Sequence, residues 1–229
     1  MPRARHWGGP GRYAIELARR GHRVVLADVS PVLLAQARER IAGSGVEGQI
    51  EAIDEASAED LARYSASSFD AVVAFGPFYH LLSETERSRA AREICRVLKT
   101  GALAFVAFVP RLTAVTGLIE RAASAPEQVT AETIRCVAET GVFRNASGVG
   151  FQEGYYPLPG EVERLLLREG LEVRATISLR SIAYRVEREL QSLAGTLRVE
   201  VEQLMASLST VPEVVATSGH ALIVARRTS

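Results

Sequence analysis

The chain has 229 residues, room for one domain with a proper core. Apolar residues make up 47% and charged residues 24%, and 27 basic side chains balance 27 acidic ones, so no global field marks nucleic acid or an anionic membrane as partner. No apolar run approaches the ~20 residues of a bilayer span, and the basic start Met1-Pro2-Arg3-Ala4-Arg5-His6 lacks the apolar core of a signal peptide; the expected compartment is cytoplasmic.

The first two-thirds alternates helix and strand. A glycine run, Gly8-Gly9-Pro10-Gly11, precedes a helix expected over residues 13–20. Residues 22–27 (HRVVLA) form a short apolar, β-branched run and read as a buried parallel strand that Asp28 ends. Ser30-Pro31 supplies an N-cap followed by proline at the first helical position, so a helix is expected to about residue 41. A weaker strand follows at 49–53, then a short helix or turn at 57–64 and a strand at 69–75 broken by Gly76-Pro77. Residues 84–98 carry apolar side chains on one helical face. Thr100-Gly101 closes that helix and a strand is expected at 102–109.

Beyond Pro110 the pattern changes. Two helical stretches (112–124 and 126–140) and a loop rich in glycine, asparagine and aromatics make an insertion at 111–160, read as a lid over a ligand. A helix at 161–169, a strand at 171–179, a helical segment at 186–207 interrupted near Gly195, and a last strand at 220–226 complete the chain. Strands and helices alternating in this way predict an α/β fold with a doubly wound, mostly parallel sheet. We read it as a single domain, 1–229, in three parts: 1–110, the insertion 111–160, and 161–229.

Ligands of such sheets bind beyond the carboxyl ends of the strands. Gly8 to Gly11, Asp28, 57–59 and 76–80 all fall there. Glycines before a helix let a ligand approach the backbone and its unpaired N–H groups. Asp28, 17 residues after Gly11, ends the second strand, where a carboxylate accepts from both ribose hydroxyls of an adenosine. That logic serves nicotinamide dinucleotides and S-adenosylmethionine equally, and a plain turn residue before Ser30 fits as well. The cysteines, Cys95 and Cys136, lack a CxxC spacing, and His6, His22, His80 and His220 form no paired metal motif, so no metal is expected.

Longer stretches separate these readings. Residues 69–109 (FDAVVAFGPFYHLLSETERSRAAREICRVLKTGALAFVAFV) resemble the fourth strand, following helix and fifth strand of a class I S-adenosylmethionine-dependent methyltransferase. Arg96-Val97-Leu98-Lys99-Thr100-Gly101 resembles that family's RVLKPGG turn, and Ser57-Ala58-Glu59-Asp60-Leu61 its DAEDL segment. Ser218-Gly219-His220 and the last strand resemble its antiparallel closing hairpin, and 76–81 and 141–145 have counterparts in one subfamily.

The resemblance implies S-adenosylmethionine as cofactor. It places Gly9 and Gly11 by the methionine part, Asp28 at the ribose, Val29 beside the adenine, and Ala58 and Glu59 at the adenine edge. Phe75 and Gly76 would border the methyl group. Ser57 stands where the family has an acid accepting from the adenine amino group; a neutral acceptor contributes about half as much, which implies weaker binding. His80 and Tyr79 are the candidates for catalysis, His80 being equally suited to capping or packing. Tyr155 and Tyr156 are candidates for a substrate pocket, and Arg144 and Arg180 for a carboxylate. The implied reaction is methyl transfer to a small-molecule N, O or C nucleophile by a monomer or homodimer. The alternatives are a degenerate S-adenosylmethionine-binding protein with little turnover and an NAD(P)-dependent oxidoreductase.

The front end departs from the family. Where a strand and turn such as RVLDIGGGPG are expected, residues 2–11 read PRARHWGGPG, so the central first strand is expected to be degenerate or missing, with Arg3, Arg5 and His6 costly to bury. The codons CGC-GTG-CTC-GAC-ATT-GGG-GGG-GGC-CCG-GG encode the family pattern; one added C at the front shifts them to CCG-CGT-GCT-CGA-CAT-TGG-GGG-GGG-CCC-GGG, which encodes residues 2–11 as they stand. Lys99 is the only lysine, an arginine bias typical of GC-rich DNA, where such slips in G/C runs occur. A frame shift before Gly8 therefore predicts a methyltransferase-like segment upstream in the neighbouring frame. Reading the nucleotide sequence tests this, and an upstream region without such a segment would refute it.

Overall fold

The computed structural model describes residues 3–7, 9–145, 147, 151–179 and 181–228, with the backbone alone at 3–7 and 182. Its elements alternate from the start: β1 (Arg3–Trp7), α1 (Arg12–Arg19), β2 (Arg23–Asp28), α2 (Pro31–Ile41), β3 (Ile50–Glu55), β4 (Phe69–Ala74), α3 (Pro77–His80), α4 (Glu84–Val97) and β5 (Leu98–Phe108). There follow α5 (Arg111–Ser124), α6 (Ala131–Thr140), β6 (Val142–Arg144), β7 (Glu153–Tyr155), α7 (Pro159–Arg168), β8 (Leu171–Ser178), α8 (Glu187–Ser192), α9 (Gly195–Ser207), α10 (Pro212–Thr217) and β9 (Ala221–Arg227).

Seven strands form one sheet in the order β3-β2-β1-β4-β5-β9-β8. β1, β2, β3, β4 and β5 pair in parallel. β9 runs the other way: Arg227 at its end bonds the Leu98 carbonyl at the start of β5, and Arg226 lies beside Gly101. The chain turns from β1 outward to β3, then returns to β4 on the other side of β1, so the switch point falls between β1 and β4. That is where a doubly wound sheet opens a crevice at its carboxyl edge.

Of the two alternatives read from the sequence, a degenerate or a missing first strand, the structure has the degenerate one: a strand is present but carries no apolar pattern. Arg3–Trp7 pairs with Arg23–Ala27 on one side, and Ala4–Trp7 pairs with Ala71–Ala74 on the other. A ladder needs only the backbone N–H and C=O that every non-proline residue carries, so five residues without an apolar pattern fill the central slot. The side chains of Arg3, Arg5 and His6 lie outside the described residues. The expected Lys99-Thr100-Gly101 turn is also replaced. The strand begins at Leu98 directly after α4, and its register against β4 jumps from Phe69↔Leu98 to Ala71↔Leu103. The register between these pairs is irregular, with Gly101 at a left-handed φ of 80°.

By its internal packing the described chain divides into two compact units, 1–106 with 164–174 and 224–229, and 107–163 with 175–223. In the first, α1 and α2 cover β2 and β3. Ala14, Ala18, Val24, Leu26, Ala37, Ile41 and Val46 form that core, and the small alanines let the helices sit close. Ser30 caps α2, its hydroxyl accepting from the Leu33 N–H at 3.3 Å, and Pro31 follows at the first helical position as its fixed φ favours. α4 starts at a capping box in which Ser83 and Glu86 exchange hydrogen bonds.

The second unit contains α5, α6, the β6–β7 hairpin, the first half of α7, and α8 to α10. It is knotted by Arg111, 7% exposed. Arg111 donates to both Glu161 oxygens at 3.0 and 2.8 Å and to the carbonyls of Tyr156 and Ala138. No helix among the described residues is long and apolar enough to cross a membrane. Removing the carboxylate with Glu161→Ala leaves the Arg111 cation buried without its partner and should destabilise this unit by about 3 kcal/mol, seen as a lowered urea midpoint.

Candidate functional site

A cavity of about 590 Å³ opens at the carboxyl edge of the first unit's sheet, lined from the ends of β1, β2, β3 and β4. Such a volume suits a small ligand or cofactor. Its wall contains Gly9, Asp28, Val29, Ser57, Ala58, Phe75, Gly76, Tyr79 and His80, nine of the eleven residues singled out in this half of the sequence.

Asp28 holds its centre. Its Oδ1 accepts from the Ser30 N–H at 2.9 Å and its Oδ2 from the Gly9 N–H at 3.2 Å. One carboxylate thereby links the turn after β1 to the turn after β2. The turn role read from the sequence falls on this group. A carboxylate offers about four acceptor positions, so these two bonds leave capacity for a ligand's hydroxyls.

The two glycines divide the work. Gly9 has a left-handed φ of 55°, and a Cβ there would meet nothing within 4 Å. It leaves the backbone open for a ligand to approach. Gly11 does not line the cavity. At φ 83° it caps α1, and a Cβ there would lie 3.1 Å from Ala37 Cβ, so its role is close packing of α1 on α2.

The loop after β3 is positioned from α4. Glu93 accepts from the Leu61 N–H at 2.8 Å, and Arg96, paired with Glu93, donates to the carbonyls of Leu61 and Tyr64 at 2.9 Å each. Ser57 accepts from the Glu59 N–H at 3.2 Å, which turns the chain and leaves Ala58 buried against the cavity. Glu59 faces elsewhere: it lines a separate surface cleft with Asp60, Ala62, Arg89, Arg92, Glu93 and Arg96.

After β4 the chain bends at Gly76 into the short α3. Tyr79 is half-buried, and burial pushes its phenol above the usual value, with Tyr13 adding in the same direction. It therefore keeps its proton at neutral pH and offers a hydrogen-bonding hydroxyl, not a base. His80 is exposed at the cavity wall, its ring 4.8 Å from that of Tyr79.

Tyr155 and Tyr156 belong to the second unit. The Tyr155 hydroxyl donates to Glu161 at 3.0 Å, and Tyr156 packs on Leu118, Val137 and Phe143. Neither lines the cavity of the first unit. Arg144 is exposed on β6, and Arg180 lies outside the described residues. The sequence reading gave no individual role to Pro10, Tyr13, Ser30, Leu33, Pro77 and Leu81, all in the wall. Each follows the end of a parallel strand by a few residues, the signal that would have found them. Gly11→Ala forces a left-handed φ on an L side chain and presses on Ala37, and should cost about 2 kcal/mol, measured as a fall in unfolding temperature without loss of the cavity's lining groups.

Residues 8–101 match the sequence family described as a methyltransferase domain. No curated protein matches the chain. Among solved structures, a SAM-dependent methyltransferase from Methanosarcina mazei is 18% identical, with a TM-score of 0.68 over 99% of this chain and 92% of that one. The CcbJ methyltransferase from Streptomyces caelestis is 15% identical, with a TM-score of 0.60 over 100% and 84%. The [4+2]-cyclase SpnF is 20% identical, with a TM-score of 0.60 over 99% and 75%. At such identities the likeness establishes the fold. The family match covers residues 8–101, and the sheet order and the glycine–aspartate site agree with the resemblance to class I S-adenosylmethionine-dependent methyltransferases read from the sequence.

Proposed function

We propose that the chain binds S-adenosylmethionine in the cavity at the ends of β1 to β4 and transfers its methyl group to a small-molecule acceptor. The Asp28 carboxylate carries this reading. It is fixed by two backbone N–H groups with acceptor positions left for a ribose diol. Val29, Ser57 and Ala58 line the same cavity after β2 and β3, a slot for an adenine. The open backbone at Gly9 suits the amino-acid end, and Phe75 and Gly76 border the reacting methyl.

When bound, the cofactor supplies a sulfonium that already activates the methyl group. The protein's own task is alignment of acceptor, methyl and sulfur, worth several kcal/mol of barrier in a well-ordered site. Where the acceptor carries a proton, His80 is the group to take it, and Tyr79, protonated, holds the acceptor by a hydrogen bond. The even balance of charge favours a small molecule over a nucleic acid as acceptor.

One observation favours a second reading. Ser57 offers a neutral oxygen already engaged by the Glu59 N–H where an acid is usual, so donor affinity is reduced and the chain acts as a slow enzyme or as a binder of the cofactor. The fold also hosts chemistry other than methyl transfer, as the cyclase among its structural neighbours is named for. Calorimetry with S-adenosylmethionine, S-adenosylhomocysteine and NADH tests the proposal. Both adenosyl ligands should bind and NADH should not, and Asp28→Ala should weaken both adenosyl ligands about 10- to 100-fold, the range of a lost charged hydrogen bond. Binding of NADH alone would overturn it.

A further inference from the structure

We propose that Tyr13, Phe75 and Tyr79 form an aromatic wall that recognises the positive charge of the methyl donor, so that this chain prefers the sulfonium over its neutral thioether by-product. The inference rests on the reading above that the cavity holds S-adenosylmethionine.

Sheet order supplies the direction. Neighbouring strands are ~4.8 Å apart, and the strands run β3-β2-β1-β4. With the ribose at Asp28 beyond β2, the base and the 5′ carbon leave the sugar on opposite sides. A base toward Ser57 and Ala58 beyond β3 sends the sulfur toward β1 and β4. The residues there are Tyr13, in the first turn of α1, and Phe75 and Tyr79 after β4; all three line the cavity.

Charge then decides what those residues can do. Asp28 is the one carboxylate among the described lining residues, and its oxygens are held at the β2 end by Gly9 and Ser30. No anionic side chain among the described residues lines the β4 end, and a cation taken from water without compensation is costly. Aromatic faces supply that compensation, since the ring quadrupole attracts a ligand cation within ~6 Å. Tyr13 and Phe75 stand edge to face, ring centroids 5.1 Å apart at 83°, so their faces point in different directions and can line two sides of one group. The Tyr79 hydroxyl oxygen lies 3.9 Å from the position a Cβ on Gly76 would take, which brings the third ring system to the same bend. Tyr79 keeps its phenol proton, so the attraction at this end comes from the ring faces.

The test is the ratio of affinities for S-adenosylmethionine and S-adenosylhomocysteine by calorimetry, in Tyr13→Leu and Tyr13→Phe. Tyr13 is half exposed, so both variants should fold, and a melting curve checks it. Tyr13→Leu should lose about fivefold in affinity for the sulfonium, the scale of one cation–π contact, with the thioether unchanged. Tyr13→Phe, which keeps the ring, should retain the preference. Equal loss of both ligands in Tyr13→Leu, or no loss of either, would remove this proposal alone. An Asp28→Ala variant that binds both ligands as tightly as the unmutated chain would remove the functional reading and this one with it.

Discussion

The Asp28 carboxylate is the constraint on which the rest of the site depends. Residues 9 and 28 belong to turns after different strands, and the two bonds from Gly9 and Ser30 hold those turns together at the carboxyl edge. The Ser30 N–H belongs to the N-cap residue of α2, where the helix dipole favours negative charge. Both carboxylate oxygens are thus held in place before any ligand arrives. Gly11 adds a second lock by seating α1 on Ala37 of α2, and the alanine-rich core beneath keeps the pair of helices close. The site is thus organised in advance, which spares a ligand the entropic cost of ordering it.

The same geometry gives the cavity a polarity along the sheet. A held anion sits beyond β2, a neutral hydroxyl at Ser57 beyond β3, and aromatic surface beyond β1 and β4. A ligand that is polar in the middle, flat at one end and cationic at the other matches this order. The α4 helix supports the arrangement from outside through Glu93 and Arg96, which clamp the loop carrying Ser57 and Ala58.

The second unit is built on a different principle. Arg111, Glu161 and Tyr155 bring together a helix start, a helix first turn and a hairpin strand. The buried guanidinium donates to two carbonyls besides its carboxylate, so all three of its nitrogens are engaged and the charge is tolerated. This explains why Tyr155 serves the unit's own packing in these contacts, although adjacent tyrosines in a loop read naturally as pocket residues.

Local signals in the chain were sufficient for much of this. The Ser30-Pro31 cap, the apolar run of β2, the Gly76-Pro77 break and the interruption near Gly195 each act within a few residues, so periodicity and capping rules located α2, β2, the end of β4 and the gap between α8 and α9. Gly9 and Asp28 were legible because the position after a parallel strand is itself a local property. Other features were decided by residues distant in sequence. The arginine-rich Arg3–Trp7 becomes a central strand because two neighbours offer it ladders. Residues 99–102 lie inside β5, where the register against β4 shifts, and β6 pairs with β7. Gly11 packs where Gly9 opens, and Glu59 turns from the cavity that Ala58 lines. One sequence step reverses a side chain's direction, and only the packed neighbours determine which direction faces the ligand.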